Sequence, residues 1–120
     1  MKIVCIGDSL TYGYDVTVSA RWTVLLEQKT GIRVCNEGVC GDTTAGMLQR
    51  IRIMNLTDYD AVCIMGGSND ILQHVSLKQM EYHIQQMLQY VSQAGKALYV
   101  GIPLAMKPES AILAGSNLKR

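Results

Sequence analysis

Four short and predominantly apolar runs, most of them followed directly by glycine or proline, constrain this chain more than any other feature. The runs are Lys2–Ile6, Ile32–Asn36, Asp60–Met65 and Ala97–Ile102, the last stopped by Pro103. A strand with one face in water alternates apolar and polar residues. An unbroken apolar run reads instead as a strand buried on both faces, as in a parallel sheet covered by helices. Helical patterns lie between the runs. Arg21–Thr30 is followed by Gly31, a natural C-cap. Thr44–Met54 places Met47, Leu48, Ile51 and Met54 on one helical face. Ser76-x-x-Gln79 forms a capping box that opens a helix carrying Leu77, Met80, Ile84, Met87, Leu88 and Val91 on one side, with Gly95 at its end. The order β-α-β-α-β-α-β predicts an α/β fold, a doubly wound parallel sheet in a flavodoxin-like three-layer α/β/α sandwich.

The 120 residues suit one domain, residues 1–120, with no internal repeat, linker or low-complexity tract. Hydrophobic residues make up 48% and charged residues 18%, a balance that supports a packed core and excludes wholesale disorder. A net charge of +1 with no Lys/Arg cluster gives no footprint for nucleic acid. Only four apolar residues separate Met1-Lys2 from Gly7, fewer than the roughly 7–15 of a secretory h-region, and no run approaches the ~20 residues that span a bilayer. The expected location is therefore the cytoplasm. In that reducing compartment Cys5, Cys35, Cys40 and Cys63 read as free thiols, the three within or ending apolar runs being buried. Cys35 and Cys40 lack a second pair of ligands, so no metal site is expected.

In a doubly wound sheet the functional loops follow the carboxyl ends of the strands. Here those loops are Gly7-Asp8-Ser9-Leu10-Thr11-Tyr12-Gly13, Asn36-Glu37-Gly38-Val39-Cys40-Gly41-Asp42-Thr43-Thr44 and Gly66-Gly67-Ser68-Asn69-Asp70. Ser9 is presented on a tight turn directly after a buried strand. Gly41 offers a backbone N–H with no side chain in the way, and Asn69 offers a side-chain NH₂. A hydroxyl nucleophile with converging N–H donors suits acyl transfer, because negative charge develops on the carbonyl oxygen under attack. Asp8 reads as support for the nucleophile turn, Asp42-Thr43 as the cap of the second helix, and Trp22 as packing for the first helix. The methionines at helical spacing read as core filling.

These three loops resemble the signature blocks of the SGNH (GDSL) hydrolases. Gly7-Asp8-Ser9-Leu10 is similar to the nucleophile block, Asn36-x-Gly38-x-x-Gly41-Asp42-Thr43 to the block whose later glycine donates to the oxyanion, and Gly67-Ser68-Asn69-Asp70 to the GxND block. The resemblance runs from Lys2 to about Pro103. It implies an SGNH hydrolase fold and a carboxylic ester hydrolase (esterase, lipase or acylhydrolase) working through an acyl-enzyme on Ser9. The N–H of Ser9, the N–H of Gly41 and the side chain of Asn69 would form the oxyanion hole. The implied partner is a small-molecule acyl ester, with no metal or organic cofactor.

The pattern departs from the family in one respect. The late Asp-x-x-His block that supplies the general base is absent: Ile71 lies three residues before His74 and Met80 three before His83. A serine hydroxyl without a base is a poor nucleophile at neutral pH. His74, four residues beyond a possible orienting partner in Asp70, is the local candidate for a substitute, whereas His83 reads as a residue at the surface or boundary of the long helix. The last strand and helix of the fold are expected to be missing, exposing a sheet edge that a complementing C-terminal fragment or a second copy would cover. The Lys119-Arg120 end, of the kind trypsin-like cleavage leaves, favours a clipped or truncated product of a longer hydrolase over a natural short one. The alternative function is a catalytically silent core that acts as a binding module. A nucleotide- or flavin-binding domain is disfavoured because the loop after the first strand carries no phosphate-cradling glycine pattern.

Overall fold

A computed structural model describes residues 1–101. The expectations for Ile102, Pro103 and Ala111–Arg120 lie outside the described residues. The elements are β1 (Lys2–Gly7), α1 (Ser9–Tyr12), α2 (Trp22–Thr30), β2 (Arg33–Gly38), α3 (Thr44–Ile53), β3 (Ala61–Met65), α4 (Ser68–Leu72), α5 (Leu77–Gln93) and β4 (Ala97–Val100). Single 3-10 turns occur at Val18–Ala20 and Leu56–Asp58. The strands form one sheet in the order β2-β1-β3-β4, and every neighbouring pair is parallel. This is the doubly wound arrangement that the unbroken apolar runs predict.

Parallel strands alternate their side chains between two faces, and each face has its own cover. On one face Val4 and Ile6 of β1 and Val62 and Ile64 of β3 meet Met47, Leu48 and Ile51 of α3 and Met87 and Val91 of α5. None of these nine side chains is more than 5% exposed. Each contributes about 1.5–3 kcal/mol by leaving water, which makes this layer the main source of stability. On the opposite face Asn36, Cys5, Cys63 and Tyr99 stand in one register row. Asn36 Nδ2 donates to Thr23 Oγ1 of α2 at 3.1 Å, which places α2 on this second face. On β4, Tyr99 is 57% and Val100 56% exposed. No helix among the described residues is long and apolar enough to cross a membrane.

The caps explain where the helices start and stop. Thr43 caps α3 by accepting from the Gly46 N–H, and Ser76 caps α5 by accepting from the Gln79 N–H. Gly31 closes α2 in the left-handed conformation. Two expectations are corrected. The segments after β1 and β3, read as loops, wind at once into the short helices α1 and α4, because Asp8 and Gly67 serve as N-caps immediately beyond the strands. Leu77, placed on the apolar side of α5, is 77% exposed: it is the first residue of the helix, ahead of the part that packs on α3 and the sheet. The buried face of α5 begins with Met80 and Ile84, both half-buried.

The cysteines are all free, with Cys5 buried, Cys35 and Cys63 half-buried and Cys40 exposed. Cys5 and Cys63 are register partners on adjacent strands. The facing Cys63 thiol together with burial pushes the Cys5 thiol up, and Cys5 in turn lowers the Cys63 thiol.

Candidate active site

The three signature loops leave the sheet side by side. Gly38, Gly7 and Met65 form one row of register partners across β2, β1 and β3. Gly41, Ser9 and Asn69 lie three, two and four residues beyond that row. Strand order therefore brings the three loops to one edge of the sheet, as the parallel topology requires.

Ser9 is the first residue of α1 and is half-buried. Its presentation depends on Asp8, which is 1% exposed and whose Oδ1 accepts from the Leu10 N–H at 2.9 Å. Asp8 thus caps the first turn of α1. The helix is held down from two sides. Asn36 Nδ2 donates to the Thr11 carbonyl at 2.8 Å, and the Trp22 indole N–H donates to the Leu10 carbonyl at 3.0 Å. Trp22 therefore does more than pack α2: it ties α2 to the turn that carries Ser9. Gly38 allows the close approach of α1 to β2, since a Cβ there would overlap the Tyr12 backbone.

Gly41 adopts φ +81°, a conformation that glycine takes without strain, and is exposed with open space around it. Asn69 is half-buried on α4, and its Nδ2 donates to the Asp42 carbonyl at 2.9 Å. One N–H of the Asn69 amide is thus spent on the residue next to Gly41, and the second has no partner among the described residues. The backbone N–H groups of Ser9 and Gly41 have no hydrogen-bond partner among the described residues.

Sequence reasoning missed the residue that binds these loops together. Arg50 of α3 donates through Nη2 to the Gly7 carbonyl at 3.1 Å and through Nη1 to the Glu37 carbonyl at 2.7 Å, and its Nε pairs with Asp42 Oδ2 at 2.9 Å. One guanidinium therefore joins the end of β1, the end of β2 and the turn that contains Gly41. The available signal was a cation beside the apolar positions Met47 and Ile51, eight residues after an aspartate.

The Asp70–His74 contact expected from spacing does not form. Asp70 is fully buried, and its carboxylate is taken up by Thr44, whose N–H donates to Oδ1 at 2.8 Å and whose hydroxyl donates to Oδ2 at 2.6 Å. His74 is exposed at φ +60°, where the chain turns out of the short α4. His83, expected at the helix surface or boundary, is half-buried, and its Nδ1 lies 3.0 Å from Thr44 Oγ1.

Residues 5–118 match the model of the GDSL-like lipase/acylhydrolase family. The chain belongs to that family. Among curated proteins it is 29% identical over 100 residues to an arylesterase of Vibrio mimicus, covering 78% of this chain and 50% of that protein. It is 33% identical over 95 residues to the thioesterase 1/protease 1/lysophospholipase L1 of Escherichia coli, covering 77% and 46%. The chain spans about half the length of the curated relatives it matches. Among solved structures, that of TesA superposes with a TM-score of 0.79 at 28% identity, covering 87% of this chain and 62% of that one. The GDSL-family chain thus shares the α/β fold of these hydrolases.

Proposed function

We propose that this chain is the nucleophile-bearing part of a serine hydrolase that cleaves carboxylic esters of small acyl groups. In this reading Ser9 Oγ attacks the acyl carbonyl. The oxygen that becomes negative is met by the N–H of Ser9, the N–H of Gly41 and the free N–H of Asn69. Such donors act most strongly when they are fixed before the reaction, because no reorganisation is then needed as charge develops. The alcohol departs, an acyl-enzyme forms on Ser9, and water releases the acid. The observation that carries the reading is the Asn69–Asp42 hydrogen bond, which holds one candidate donor against the loop of another while leaving an N–H unspent. Relatives named as arylesterase, esterase and thioesterase/lysophospholipase support an acyl ester or thioester as the substrate class.

The base that deprotonates Ser9 is proposed to come from an Asp-x-x-His block outside these 120 residues, since the pattern does not occur within them. His74 is not proposed for that role, because the carboxylate that would orient it is held by Thr44. The test is hydrolysis of a short-chain p-nitrophenyl ester by the whole protein and by its Ser9→Ala variant. Loss of the nucleophile costs on the order of 10⁶-fold in kcat, and a loss of about that size with an unchanged melting curve is expected. Turnover that survives in Ser9→Ala would remove Ser9 from the mechanism.

A further inference from the structure

The carboxylate of Asp70 is fully buried, and among the described residues no cation pairs with it. A charge in that position is tolerated only when donors satisfy it. Two donors come from one residue, the N–H and hydroxyl of Thr44 at the start of α3. An ionised carboxylate can only accept. With Asp70 ionised, as the proposal takes it to be, the single hydroxyl proton of Thr44 is committed to Asp70 Oδ2 at 2.6 Å. The contact of 3.0 Å between Thr44 Oγ1 and His83 Nδ1 then requires a proton on Nδ1, with the hydroxyl oxygen accepting. The three groups form a directed chain, His83 Nδ1–H to Thr44 Oγ1–H to the Asp70 carboxylate.

The chain ends beside the candidate oxyanion donor. Asn69 and Asp70 are consecutive on α4, and both reach the segment that carries Gly41: Asn69 through the Asp42 carbonyl, Asp70 through Thr44. The three bonds clamp the β3–α4 segment to the β2–α3 segment. His83 adds α5 to the clamp, a helix that holds none of the signature residues.

We infer that His83 is a positioning residue: acting through Thr44 and Asp70, it sets the orientation in which Asn69 presents its free N–H. This rests on the ester-hydrolase reading for its consequence in turnover, but not for its structural content. His83→Leu removes the donor, and Asp70 and Asn69 are left held by Thr44 and Asp42 alone. His83→Asn keeps an N–H donor at about the place of Nδ1 and restores the chain.

Nitrogen-15 NMR of the whole protein tests the inference. In the wild type Nδ1 of the His83 imidazole is expected to carry a proton. The side-chain amide resonances of Asn69 are expected to move in His83→Leu and to return in His83→Asn. With a p-nitrophenyl ester, kcat is expected to fall about fivefold in His83→Leu, the loss of one net hydrogen bond, with KM unchanged and with recovery in His83→Asn. An Nε2–H tautomer, or Asn69 resonances that stay in place in His83→Leu, overturns the inference. Wild-type protein that hydrolyses no ester while the Asn69 resonances respond as described overturns the ester reading and leaves the positioning role standing. The tautomer is read on the wild type, so the test holds even if His83→Leu does not fold.

Discussion

The layer under α3 and α5 and the edge above the strands are built by opposite means. The core of the layer consists of Val4, Ile6, Met47, Leu48, Ile51, Leu56, Val62, Ile64, Met87 and Val91, all apolar side chains. Its stability comes from area removed from water, a force without direction, so one apolar side chain of similar volume can stand in for another. The edge is held by Asn36, Arg50, Asn69, Asp70 and Thr44, each bonded in a fixed direction to a backbone group or a carboxylate. Hydrogen bonds contribute less net stability each than a buried Ile or Met, but they specify where a donor points. The layer makes the fold, and the edge makes the geometry of a site.

Substitutions should separate the two regions, and the largest effect on stability belongs to the layer. Ile51→Ala, at a fully buried position, is expected to lower the free energy of unfolding by about 2–5 kcal/mol, measured by urea denaturation. Arg50→Ala is expected to cost about 1.5–3 kcal/mol, since its bonds to Asp42, Gly7 and Glu37 involve a charged donor. Arg50→Lys should recover little of this, because an ammonium cannot reproduce a fork that reaches three acceptors. Asn69→Ala should be the mildest to the fold, about 1 kcal/mol or less, and yet should lower ester turnover by about 10²- to 10³-fold, as loss of an oxyanion donor does. The comparison breaks if Asn69→Ala unfolds the protein as readily as Ile51→Ala, or if Ile51→Ala slows turnover while leaving stability intact.

The same division decided what the sequence could show. Burial follows from hydrophobic pattern, so β1, β3 and the buried face of α3 were legible from runs and periodicity. Leu77 was misread because periodicity marks a helical face but not how far the neighbouring sheet extends along it. The edge was legible only where loop chemistry is restrictive: Gly41 at positive φ, Asp8 as a cap, and small residues directly after strands. The bonds of Arg50, Thr44 and His83 were not legible because most of their partners are distant in the chain: Arg50 reaches carbonyls 13 and 43 residues away, and Thr44 reaches Asp70 and His83, 26 and 39 residues away. A spacing of four suggested that Asp70 would orient His74. That spacing implies contact only within a continuing helix, and α4 ends at Leu72.

Ester cleavage by this chain requires Ser9 to be an activated nucleophile. The most direct measurement is the intact and peptide mass of the whole protein after treatment with a fluorophosphonate, an electrophile that captures activated serine hydroxyls. One adduct is expected, located on the peptide that contains Ser9 and absent from Ser9→Ala. An adduct that persists in Ser9→Ala, or an unmodified Ser9 in protein that hydrolyses ester, would contradict it.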